Sequence, residues 1–217
     1  SLHTLPWVAA LQRDRPLLQP PKLRDDVRAA ACREWEDRAA AEYIGVMIVR
    51  RLHGLLVDLN APADLQTLAL TMMLQEQEHT GLCMAAARSL GSDGRIAFDL
   101  PQLQQARTDE PIETQLLKML TTTFLVGEVT AFALLRHGVR ALPASGYRET
   151  LREIMRDEVA HARIGQTVLR ALRDTPGTTW ARYPGDATVA AWVAEAQAEL
   201  RARDVIEHET ATLHRDP

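Results

Sequence analysis

Between residues 25 and 173, proline, glycine and asparagine divide the chain into four long helical runs joined by links of very unequal length. Residues 25 to about 58 set Trp35, Ala39, Glu42, Val46, Val49 and His53 on one stripe at helical spacing. Asn60-Ala61-Pro62 stops that run and starts a second, which ends near residue 90 at Gly91, a residue suited to closing a helix. Asp109-Glu110-Pro111 reads as the cap and first turn of a third run, which Pro143 breaks near residue 141. Ser145 can cap a fourth run reaching Arg173, and a fifth is expected over 186–213, after Asp174-Thr175-Pro176-Gly177. No strand-like alternation of useful length appears. The expected class is all-α.

The links then select a topology. About two to four residues join the first run to the second and the third to the fourth, which forces antiparallel hairpins. About 19 residues join the two hairpins. A helix of ~30 residues is ~45 Å long, and an extended chain covers ~3.3 Å per residue. The long link can therefore travel end to end. The expectation is two antiparallel hairpins joined by a long crossover, a four-helix bundle, over residues 25–174. Residues 1–24, with Pro6, Pro16, Pro20 and Pro21, read as a Pro-rich arm, and 175–217 as a loop and C-terminal helix packed on the bundle.

Composition narrows the function classes. The 217 residues are 46% hydrophobic and 25% charged, the mix of a globular protein, with a net charge of only −4. Basic residues are spread along the chain, so neither a nucleic-acid surface nor a polybasic membrane anchor is expected. No uninterrupted apolar run approaches ~18 residues, and the early prolines sit where a signal sequence needs an apolar core. Cys32 and Cys83 form no CxxC pair, which excludes a zinc ribbon or rubredoxin-type iron site. Reduced thiols and a cytoplasmic location are the expectation.

Two of the seven histidines have a glutamate three residues before them: Glu76-Gln77-Glu78-His79 on the second run and Glu158-Val159-Ala160-His161 on the fourth. Residues i and i+3 project from one helix face, so each Glu and His can grip the same ion. The first and third runs each carry a mid-helix glutamate among apolar neighbours, Glu42 and Glu128. From Glu42 to Glu76 is 34 residues and from Glu128 to Glu158 is 30, the length needed to descend one helix and climb the next to the same level. All four groups fall near helix midpoints. Buried glutamates without partners would be very costly, and divalent ions remove that cost. Four carboxylates and two imidazoles suit two Fe or Mn ions.

In this order, Glu42, Glu76-x-x-His79, Glu128, Glu158-x-x-His161, the chain resembles the ferritin-like di-iron carboxylate superfamily over roughly residues 26–173. The resemblance implies that Glu42, Glu76 and His79 serve one metal and Glu128, Glu158 and His161 the other, with two glutamates bridging. It also implies that Asp157 accepts a hydrogen bond from a ligand histidine of the facing helix, His79, as the outer shells of metal sites do. Gln75 stands at the equivalent place in the first motif, a departure that makes the two histidine environments unequal.

Within that superfamily, the di-iron subunit of ribonucleotide reductase needs a tyrosine one turn after the first histidine, where this chain has Cys83. Arylamine N-oxygenases carry a histidine where this chain has Ile154, and bacterioferritins share the ligand set. The resemblance thus implies an O2-activating non-haem di-iron (or Mn/Fe) oxidase or oxygenase. Its catalytic residues are the metal ligands themselves, and Met72, Cys83, Thr121, Phe124 and Phe132 would wall a pocket. O2, a small organic substrate and a separate electron donor are the implied partners, since no flavin or nicotinamide fingerprint is visible; a homodimer is compatible with this set. The alternatives are bacterioferritin-like iron oxidation and storage, and a metal-free helical interaction module.

Overall fold

The computed structural model describes residues 2–5, 18–99, 108–174 and 184–212, and it is predominantly helical. In chain order the elements are β1 (Leu2–Leu5), α1 (Asp25–Asp58), α2 (Ala63–Ser89), β2 (Ile96–Asp99), α3 (Ile112–Met119), a π-helical segment (Leu120–Gly127), α4 (Glu128–Ala141), α5 (Gly146–Asp174) and α6 (Asp186–Thr212). The helix α1 turns into α2 through Asn60, whose φ of 50° places it in the left-handed region. Ala61 N–H donates to the Leu56 carbonyl and Asn60 N–H to Val57, the two bonds that close a helix end when the next residue is left-handed. Gly91, φ 111°, ends α2 in the same way, with Ser92 N–H bonded to Ala87 and Gly91 N–H to Arg88.

The start of α3 differs from the expected Asp109 cap. Pro111 itself holds the N-cap position, without a side-chain hydrogen bond, and the helix begins at Ile112. Ser145 does cap α5, its Oγ accepting from Arg148 N–H at 3.3 Å. The helices α1 and α2 pack on each other, as do the α3–π–α4 rod and α5; α2 also meets α5, and α1 meets α3. The helix α6 lies against the π segment, and Lys118 Nζ sits 5.7 Å from the Trp192 ring centroid.

Two apolar clusters form the core. One holds Trp35, Ala39, Cys83, Met84, Leu135, Tyr147 and Ile154, and the other holds Val49, Leu52, Met72, Leu116, Phe124, Ile164 and Val168. Along every rod the residues between these sets are the glutamates and histidines singled out above. The polar layer is thus closed off from both ends by packed side chains.

Strands were not expected, yet β1 and β2 pair antiparallel, with Leu2 opposite Asp99 and Leu5 opposite Ile96. Four-residue strands lie below the length at which alternation is legible. The strand β2 packs on the core: Ile96 and Phe98 are buried, and the Phe98 ring sits 5.2 Å from that of Tyr43 on α1. Phe98→Ala is expected to cost about 3 kcal/mol of stability, read by denaturant unfolding.

The rod Ile112–Ala141 is long and apolar enough to cross a membrane by length and composition, although Lys118 and Glu128 interrupt it. In this fold it packs on α5 and brings Glu128 to the polar layer.

Candidate metal centre

On α2 and α5 helical periodicity alone brings the donors to the layer. On α2, Glu76 and His79 share the face of Met72 and Cys83; on α5, Glu158 and His161 share that of Ile154 and Ile164, and all eight are buried. The π segment precedes Glu128, whose N–H reaches back five residues to the Thr123 carbonyl. Thr121 and Thr122 hydroxyls donate to the carbonyls of Leu117 and Lys118 at 2.8–3.0 Å and compete with the ordinary helical ladder there. The widened turn re-aims the residues that follow it, and single π turns are common beside functional sites.

The two imidazoles face each other with centroids 5.7 Å apart. His79 Nδ1 lies 3.4 Å from Glu42 Oε2 and 3.3 Å from Glu158 Oε1. His161 Nδ1 lies 3.1 Å from both Glu76 Oε1 and Glu158 Oε1. Outward, His79 Nε2 is 3.2 Å from Asp157 Oδ2, the pairing the resemblance implied, and His161 Nε2 is 3.0 Å from Gln75 Oε1. The Glu42 side chain is only 14% exposed. Three groups of donor atoms lie close enough to hold a metal ion: Glu42 with Glu76, His79 and Glu158; Glu76 with Glu128 and His161; and Glu158 with both histidines. All six residues read from the sequence therefore come together.

One atom tests whether these residues suit an ion. His79 Nδ1 is buried and makes no hydrogen bond, although two carboxylate oxygens stand near it. A cation between the imidazole and those oxygens would satisfy all of them.

Without a metal the layer holds protons in its place. Burial, opposed in part by His161, pushes Glu76 up to about 7. Burial and the neighbouring Glu76 push Glu128 up to about 8. For both imidazoles burial pulls downward, but the surrounding carboxylates outweigh it: Glu158 and Glu42 raise His79 to about 11, and Glu158 and Glu76 raise His161 to about 10. Glu158 lies between the two rings and its pKa moves the other way. Burial opposes its charge, yet contact with both imidazoles brings it down to about 2.

The residues expected to wall a pocket lie close to the layer in sequence and are largely buried. Met72 and Phe124 are packed inside one apolar cluster and Cys83 inside the other. Thr121 is buried with its hydroxyl bonded to its own helix, and Phe132 is partly buried on α4. Burial pushes the Cys83 thiol well above its usual range, with Glu42 adding to it, so this cysteine is inert. A cavity of about 620 Å3 lies elsewhere, at the start of α1 and the end of α2, lined by Arg28, Cys32, Arg33 and Arg88 among others.

Gly45 is the site residue that sequence reading passed over. A Cβ there would collide with the Glu76 carboxylate, its Cδ lying 2.8 Å away. A glycine inside an otherwise unbroken helix, three residues after Glu42, was the available signal. Gly45→Ala is expected to displace Glu76 and weaken metal binding at least tenfold, of the order seen when ligand support is disturbed; isothermal titration against the parent chain reads it.

No protein-family model matches the chain, and comparison with curated proteins and with solved structures likewise finds no match.

Proposed function

We propose that this protein is an O2-activating non-haem di-iron, or manganese–iron, oxidase or oxygenase that oxidises a small organic substrate, built as a ferritin-like four-helix bundle. One observation carries the reading: two inward-facing imidazoles 5.7 Å apart share a buried layer with four carboxylates, and His79 Nδ1 has no hydrogen-bond partner. The donor set matches divalent Fe or Mn. A pair of such ions would supply electrons to O2 and a Lewis-acidic seat for it.

The chain's own residues supply the rest. Glu76 and Glu158 each belong to donor groups on both sides and are placed to bridge, while Glu42 and Glu128 each serve one end. Asp157 and Gln75 orient the imidazoles from behind. The apolar clusters on either side keep bulk water away from the layer. Full reduction of O2 takes four electrons, two from the substrate and two from a separate donor protein.

Aerobic addition of Fe(II) to the metal-free chain, followed by optical spectra, metal analysis and particle sizing, tests the reading. It predicts about two Fe per chain, as in two-metal sites, with O2 consumed in a small particle. A large shell accumulating many irons per chain would instead support iron storage. Absence of saturable binding would leave only a helical interaction module.

A further inference from the structure

The two imidazoles are supported by different chemistry. Asp157 directly precedes Glu158 on α5 and holds His79 of α2; Gln75 directly precedes Glu76 on α2 and holds His161 of α5. The exchange is reciprocal in geometry and unequal in charge. In both cases the outward Nε2–H donates, which leaves the inward Nδ1 lone pair for a metal. A carboxylate accepting that N–H makes the other ring nitrogen a stronger ligand. A neutral amide oxygen does so less, because hydrogen bonds to ionised acceptors are roughly twice as strong.

The carboxylates facing the two imidazoles are otherwise balanced: Glu42, Glu76 and Glu158 gather around His79, and Glu76, Glu128 and Glu158 around His161. The difference between the ends therefore lies behind the rings, and the His79 end offers an ion the more basic imidazole.

We propose that the two ends of this centre are unequal and fill in order, the His79–Asp157 end first and the His161–Gln75 end second. Gln75 is the positioning residue that sets the gap between them. This inference rests on the metal-centre reading above. An end that fills last also empties first, so at limiting metal the chain carries a single ion beside His79.

The test is anaerobic titration of the full chain with Mn(II), followed by electron paramagnetic resonance. Up to one equivalent, the spectrum of isolated Mn(II) is expected. A second equivalent, bound at least ~10-fold more weakly, should replace it with the spectrum of a coupled pair. His161→Ala should keep the first equivalent and His79→Ala should lose it. Gln75→Glu, which restores a carboxylate behind His161, should bring the two steps to within about threefold of each other. The parent titration stands even where a variant fails to fold, and circular dichroism identifies such a variant. Two indistinguishable steps, or a coupled spectrum from the first addition, would overturn the ordered filling while leaving the metal centre in place. A folded chain that binds no Mn(II) would overturn both.

Discussion

Glu158→Gln is expected to take the metal content from about two ions per chain to nearly none while leaving helicity unchanged. Glu158 Oε1 stands 3.3 Å from His79 Nδ1 and 3.1 Å from His161 Nδ1, so one carboxylate addresses both imidazoles. It is also the group whose ionised form the pocket favours most, despite burial. The amide keeps the volume and the packing but removes the charge that balances two cations. Metal analysis after dialysis reads the loss. A second readout is thermal: metals that bind only the folded chain stabilise it by mass action, about 4 kcal/mol at a thousandfold excess over Kd. For a chain of this size that corresponds to a melting temperature roughly 8–16 °C higher. The parent should show such a shift on loading, and Glu158→Gln should not.

The second large effect concerns pH. Glu76, Glu128, His79 and His161 all have folded pKa values above their unfolded ones, at about 7, 8, 11 and 10. A group raised in this way stabilises the fold fully only below its unfolded pKa, and that contribution is lost as pH climbs toward the folded value. Glu158 has the opposite sign, but its window, from about 2 to the usual carboxylate range, lies below the others. Above pH 5 every shifted group in the layer therefore acts in one direction. The metal-free chain is expected to melt at progressively lower temperature as the pH rises from 6 to 8. Metal reverses the trend, because ligands must shed their protons to bind it. Affinity should climb steeply over the same interval, with about three protons released per loaded chain, measurable by titration in two buffers of different ionisation enthalpy. A metal-free chain that grows more stable toward pH 8 would contradict this account of the layer.

Much of the fold could be read because its punctuation is local. Asn60, Gly91 and Ser145 each act through hydrogen bonds within a few residues, and they mark helix ends where the pattern put them. The six donor residues were legible for a related reason: periods of three along a helix, and equal path lengths up and down a hairpin, fix which residues share a level. What escaped depends on contacts between distant segments. The β1–β2 ribbon pairs residues more than 90 apart through backbone groups that carry no side-chain signal. The π segment has no repeat to betray it, and only the run of three threonines at 121–123 hints at competition for backbone carbonyls. Gly45 matters through a carboxylate 31 positions away. Met72, Cys83 and Phe124, which share a face with the ligands, pack into the apolar core above and below them.

The most direct test of the central claim is an iron K-edge X-ray absorption spectrum of the chain loaded anaerobically with Fe(II). The account predicts nitrogen and oxygen ligands only, about one imidazole per iron, and an iron–iron vector of roughly 3.5–4 Å. Iron without an iron neighbour, or iron bound by the sulfur of Cys83, would contradict it.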